Sequence, residues 1–184
     1  MHQYEYDLFI SYAHLDNELT DTGTAEGWIT AFQGDLQISL SHHLGRRATI
    51  WRDDQLTPDD DFEAAIVTAL KKSAVLVIVM SPTFVERQWF DKEFSAFINA
   101  AEERGGLLIN DLARTFNVMI RATPREQMPD HLRKLLGYEF FLPAPEHSGS
   151  QTLERDSLIY KSKLDDLSRD IRDMLEALHI GGAT

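Results

Sequence analysis

The chain has 184 residues, 43% hydrophobic and 26% charged, enough for one sizeable domain with its own core and short for two. Its net charge of −12 repels phosphate backbones and anionic membranes, and the basic pairs Arg46-Arg47 and Lys71-Lys72 are short, so neither nucleic acid nor membrane is an expected partner. The absence of cysteine excludes disulfides and thiolate sites; with no bilayer-length apolar run and no secretory pattern at the start, a cytoplasmic location is expected.

In chain order, "YDLFISY" (6–12) is a β-favouring run that ends in the turn-prone "AHLDN". In "WITAFQGDLQISLSHHL" (28–44), Trp28, Phe32, Leu36, Leu40 and Leu44 recur every four residues, which predicts one apolar helical stripe with Gly45 as C-cap. "ATIW" (48–51) predicts a second strand, and "RDDQLTPDDD" (52–61) is a loop by composition. "FEAAIVTALKK" (62–72) predicts a helix with acids before its first turn and lysines in its last, as the macrodipole prefers.

"AVLVIVMS" (74–81) is continuously apolar, the pattern of a strand buried on both faces at the centre of a parallel sheet. Ser81 and Pro82 open the next helix as N-cap and first helical residue. Its stripe is Phe90, Phe94, Phe97, Ile98 and Ala101, and Gly105-Gly106 ends it. "TFNVMIRA" (115–122) predicts a fourth strand, "PREQMPDHLRKLLG" (124–137) a helix interrupted at Pro129, and "YEFFL" (138–142) a fifth strand. The linker-like "PAPEHSGSQ" (143–151) precedes an amphipathic helix marked by Leu164, Leu167, Ile171, Met174, Leu175 and Leu178.

Strands alternating with helices require parallel crossovers, so the expected fold is a flavodoxin-like, doubly wound α/β sandwich with a five-stranded parallel sheet. Residues 1–142 would form the domain, 143–151 a linker, and 152–184 a helix that either packs on the domain or leads to another. Deleting 152–184 is expected to leave a folded unit. Ligands of such sheets bind in the crevice at the carboxyl ends of the strands. "SYAHLDN", "RDDQLTPDDD" and "SPTFVERQWFDKE" would gather there. Glu93 would overlook the crevice as a solvent-facing carboxylate, with Trp89 one helical turn before it.

Other sheet-based functions fail on their residues. A phospho-accepting receiver needs an aspartate after its third strand, where this chain has "MSP". The glycine fingerprint of a dinucleotide dehydrogenase and the Gly-x-x-x-x-Gly-Lys phosphate loop are both missing. Asp59, Asp60 and Asp61 lack the alternation of a calcium loop and the histidines lack ligand spacing, so no metal is expected.

Taken in order, these segments resemble the Toll/interleukin-1 receptor (TIR) domain, especially its bacterial, NAD-cleaving versions. The boxes are "YDLFISYAHLDN", "IWRDDQLTPDDDFEAAI" with the loop usually called BB, "SAVLVIVMSP", and the helix with Trp-x-x-x-Glu at Trp89 and Glu93. The similarity spans roughly residues 5–142. The BB loop has Pro58 followed by Asp59 where many receptor members have Pro-Gly, and the late Phe-Trp box is reduced to "YEFF".

The resemblance implies an NAD+ glycohydrolase or cyclase that cleaves the nicotinamide–ribose bond, a self-assembling defence or signalling effector with other TIR domains as partners. NAD+ would be substrate, and no cofactor is implied. Glu93 would be the catalytic carboxylate and Trp89 an apolar wall of the site. Ser11, Tyr12, Ala13 and His14 would hold the dinucleotide, and Asp53, Leu56 and Thr57 of the BB loop would cover it. Ordinary glycosidases need a second carboxyl group to protonate the leaving oxygen, whereas nicotinamide leaves NAD+ as a neutral base. The alternative is a TIR scaffold that associates without turnover.

Overall fold

The computed structural model describes residues 4–18, 26–51, 62–86, 90–128, 130–135, 137–143 and 150–181. In chain order they form β1 (Tyr6–Ser11), a 3-10 turn (His14–Asn17), α1 (Trp28–Leu44), β2 (Ile50–Trp51), α2 (Phe62–Lys71) and β3 (Ser73–Met80). There follow α3 (Pro82–Val85), α4 (Phe90–Glu102), a hairpin of β4 (Leu108–Ile109) and β5 (Leu112–Ala113), and β6 (Thr115–Met119). A 3-10 turn (Arg125–Gln127), α5 (Asp130–Arg133), β7 (Gly137–Glu139), β8 (Phe141–Leu142), β9 (Gln151–Thr152) and α6 (Leu158–Gly181) complete the order.

The main sheet has five parallel strands in the order β2-β1-β3-β6-β7. Every residue of the valine-rich β3 is buried, and β3 lies at the centre as its composition requires. Alternation along the strands divides the core in two. Leu8, Ile10, Val75, Val77, Phe116 and Val118 face α1 and α6, while Phe9, Leu76, Ile78 and Met80 face α2, α4 and α5. The stripe of α1 buries Phe32, Leu36 and Leu40 completely, and Gly45 closes the helix at φ 64.

Two predicted elements are broken, each for a packing reason. "YEFFL" is two strands: Phe140 turns inward, its N–H donating to Met119 O at 2.7 Å and its carbonyl accepting from Leu153 N at 2.8 Å. Pairing thus passes from parallel β6–β7 to antiparallel β8–β9. The Phe140 ring meets Phe32 and Tyr160 edge-on, each at 5.4 Å. The helix after β3 is likewise α3 and α4. On one straight helix Phe84 and Phe97 would point about 140° apart; in two helices both enter the same core.

Helix α6 begins earlier than its stripe suggests, and it packs against α1 and the sheet rather than standing apart. Tyr160, Leu164, Leu167, Ile171, Met174, Leu175 and Leu178 are all buried there. Asp35 of α1 accepts from Arg155 at 2.7 and 2.8 Å and from the Tyr160 hydroxyl at 2.8 Å, tying the start of α6 to α1. Among the described residues no helix is long and apolar enough to cross a membrane.

Candidate active site

Strand β1 ends at Ser11, in register with Ile78 of β3. By alternation Ser11 shares the face of Phe9, beneath α2 and α4. Helix α4 is anchored on that face by Phe94 and Phe97, which places Glu93 of its first turn over the end of β1. The Ser11 hydroxyl donates to Glu93 Oε2 at 2.8 Å. Glu93 is only 5% exposed, so the expected solvent-facing carboxylate is instead a buried one, drawn down by the aromatic anchors beside it. A carboxylate in a weakly screened site, near the positive end of a helix, is an electrostatic partner for charge that develops next to it.

The residues after Ser11 separate. Ala13 is buried in the core beneath α2 and α4. Tyr12 packs against the cluster of the other face, with the exposed His14 ring edge-on to it at 5.4 Å. Asp53, Leu56, Thr57 and Trp89 lie outside the described residues.

Two residues read from the sequence only as a turn fix the wall of this site. Ser81 Oγ caps α3 by accepting from Phe84 N at 3.0 Å, and it donates to Asp16 at 2.5 Å. Burial holds the Asp16 carboxyl above its ordinary range, against the opposing pull of the Ser81 hydroxyl and the Arg121 charge. Asn17 Oδ1 accepts from Thr30 N at 2.9 Å and Asn17 Nδ2 donates to Thr30 Oγ1 at 2.7 Å. Asn17 thereby caps α1 from a distance, because the N-cap, Gly27, has no side chain to do so. A Cβ on Gly27 would lie 2.0 Å from the Asn17 carbonyl oxygen, which is why glycine stands there. Cap-forming residue types in "HLDN" were the available signal; their partners are remote in sequence. Among the described residues no group of three or more His, Asp or Glu could hold a metal ion.

The TIR domain family model matches residues 33–141, more than half of the chain. The chain is similar to NAD(+) hydrolase TcpA of Theionarchaea archaeon (strain DG-70-1), 32% identical over 107 residues, or 58% of this chain. It spans only 28% of that relative's length. Among solved structures it is similar to the TIR domain of the Toll-related receptor TRR-2 from Hydra magnipapillata, with a TM-score of 0.51 and 18% identity, covering 91% of this chain and 98% of that one. It is similar also to a metazoan TIR-STING receptor from C. gigas, with a TM-score of 0.52 and 17% identity, covering 93% and 41% of the two chains. At these identities the structural likeness is one of fold, and the family rests on the sequence match. With its five-stranded parallel sheet and the boxes in order along it, the chain belongs to the TIR domain family.

Proposed function

We propose that the chain cleaves NAD+ between nicotinamide and ribose, with Glu93 as the catalytic carboxylate. The observation that carries this reading is the buried Glu93 carboxylate, held by Ser11 at the carboxyl edge of the sheet. The name of the relative TcpA, an NAD(+) hydrolase, supports it.

Nicotinamide in NAD+ is already positively charged, so it departs with the bonding electron pair as a neutral base and needs no acid. Positive charge develops on the ribose. Glu93 accepts hydrogen bonds from ribose hydroxyls and stabilises that charge, more strongly for being shielded from water. Water then adds to the ribose carbon and loses a proton to solvent, giving ADP-ribose; in a cyclase another atom of the same molecule takes the place of water. Ser11 orients the carboxylate, and the turn from Tyr12 to His14 forms the adjoining wall. Asp53, Leu56 and Thr57 cover the dinucleotide in this reading, and Trp89 is an apolar wall of the site. A second copy of the domain completes the site, and the assembled protein serves in defence or signalling.

Replacing Glu93 by Gln tests the assignment. The variant keeps an acceptor for Ser11 and loses the charge, so nicotinamide release should fall by about two to three orders of magnitude, ~3–4 kcal/mol in the barrier. Cooperative unfolding should persist. The exposed Glu86 and Glu102 tolerate the same change. Equal release by wild type and Glu93→Gln refutes the role; release by neither, with association intact, returns the chain to the scaffold class.

A further inference from the structure

A second polar site lies at the opposite edge of the sheet. Where β1, β2 and β3 begin, a cavity of about 580 Å³ is lined by Tyr4, Glu5, Asp7, Arg46, Lys72 and Arg104. It adjoins the amino ends of the strands, whereas Glu93 stands at the carboxyl end of β1. That volume falls in the range of pockets for small organic ligands, about 300–1,000 Å³.

The wall is built by Asp7, which is 8% exposed. Arg46 donates to both of its oxygens at 2.6 and 2.7 Å, and the N–H and hydroxyl of Thr49 donate at 2.8 and 3.0 Å. This clamp saturates Asp7 and fixes Arg46. Lys72 pairs with Glu5 at 2.7 Å, both side chains about half exposed, a pair of small worth that a stronger anion can displace. Arg104 lies 5.5 Å from the Tyr4 ring centre and donates to the Lys71 carbonyl.

Behind them is a buried cation. Arg114 is 1% exposed, and it donates to the carbonyls of Ala74 at 2.8 Å and Gly106 at 3.3 Å. Its guanidinium lies 5.1 Å from the Tyr4 ring and 5.4 Å from the Phe97 ring, and no carboxylate among the described residues pairs with it. The Tyr4 hydroxyl is shielded from solvent, beside Arg114. Three cations, Arg46, Lys72 and Arg104, thus line the cavity with two carboxylates, Glu5 and Asp7, and Arg114 lies buried behind them, in a chain whose net charge is −12. Such a local excess in a concave recess concentrates a positive field.

We propose that this cavity binds a small phosphate-bearing anion, a diphosphate or the diphosphate of a nucleotide, through Lys72 and Arg104. The site is separate from the one at Glu93 and does not depend on NAD+ cleavage.

The test titrates the full chain with inorganic diphosphate and, in parallel, with ADP, by calorimetry and amide chemical shifts. Saturable binding that weakens with salt is expected, with shifts at Glu5, Arg46 and Lys72. Affinity should fall about tenfold or more in Lys72→Gln and in Arg104→Gln, each losing a charge-assisted bond, and be retained in Glu93→Gln. Thermal unfolding checks that each variant is folded. Tighter binding of ADP than of diphosphate identifies a nucleotide site, and equal binding a site for the free anion. No saturable binding of either, or binding indifferent to both Lys72→Gln and Arg104→Gln, overturns the proposal.

Discussion

A chain ending at Asp156 keeps all five strands of the main sheet and loses only α6, yet the packing of that helix makes the loss severe. Tyr160, Leu164, Leu167, Ile171, Met174, Leu175 and Leu178 are buried in the cluster shared with α1 and the sheet. At about 1.5–3 kcal/mol for each buried apolar side chain, their removal withdraws roughly 10–20 kcal/mol of burial. Residual compactness of unfolded chains reduces such sums by roughly 10–40%. What remains, roughly 6–18 kcal/mol, is comparable to the whole stability of an ordinary domain, about 5–15 kcal/mol. The truncation also uncovers Phe32, Leu36 and Leu40 of α1. The shortened chain should therefore show no cooperative urea transition by circular dichroism or by the fluorescence of Trp28, which stacks on Phe32. A single sharp transition near the full-length midpoint would refute the reasoning and show that the helix itself is dispensable.

Ser11→Ala removes a donor to Glu93 and should cost about 1–3 kcal/mol of stability while lowering nicotinamide release; unchanged kcat/KM and urea midpoint would show that Ser11 orients nothing. Gly27→Ala sets a Cβ 2.4 Å from Asn17 Oδ1 and should destabilise by about 1–3 kcal/mol, read as a lowered Tm. Burial pushes the Asp7 carboxyl up, but Arg46 and Thr49 outweigh it and hold it below the ordinary range. A carboxylate depressed in the fold contributes stability above its unfolded value, about 3.9, and loses it as pH falls through the folded one. The stability gap between wild type and Asp7→Asn should thus be full at neutral pH and narrow below about pH 4; a gap of the same size at both ends of that range would exclude the linkage.

The elements most legible in the sequence were those whose surroundings are uniform. A strand covered on both faces is almost wholly apolar, so β3 declared itself, and the stripe of α1 did the same through its spacing. The breaks at Phe140 and after Val85 were not legible, because each is set by partners distant in the chain: Trp28, Phe32 and Tyr160 for the first, the shared pocket of Phe84 and Phe97 for the second. Glu93 shows the same division. Its helix and its end of the sheet followed from pattern, but the hydrogen bond that holds its carboxylate comes from Ser11, 82 positions away. Asp16 and Asn17 were visible only as turn formers, since nothing local announces Ser81 or Thr30.

Asp16 and Asn17 are neighbours in the chain that grip different helices, α3 through Ser81 and α1 through Thr30. The turn that follows Ser11 is thus a rivet and not a flap. A molecule arriving past His14 meets groups already fixed in place, so little chain entropy is lost in ordering them. On the proposed function, selectivity at this wall would come from the standing shape of the turn. A slip of β1 along β3 would tug on both helices at once.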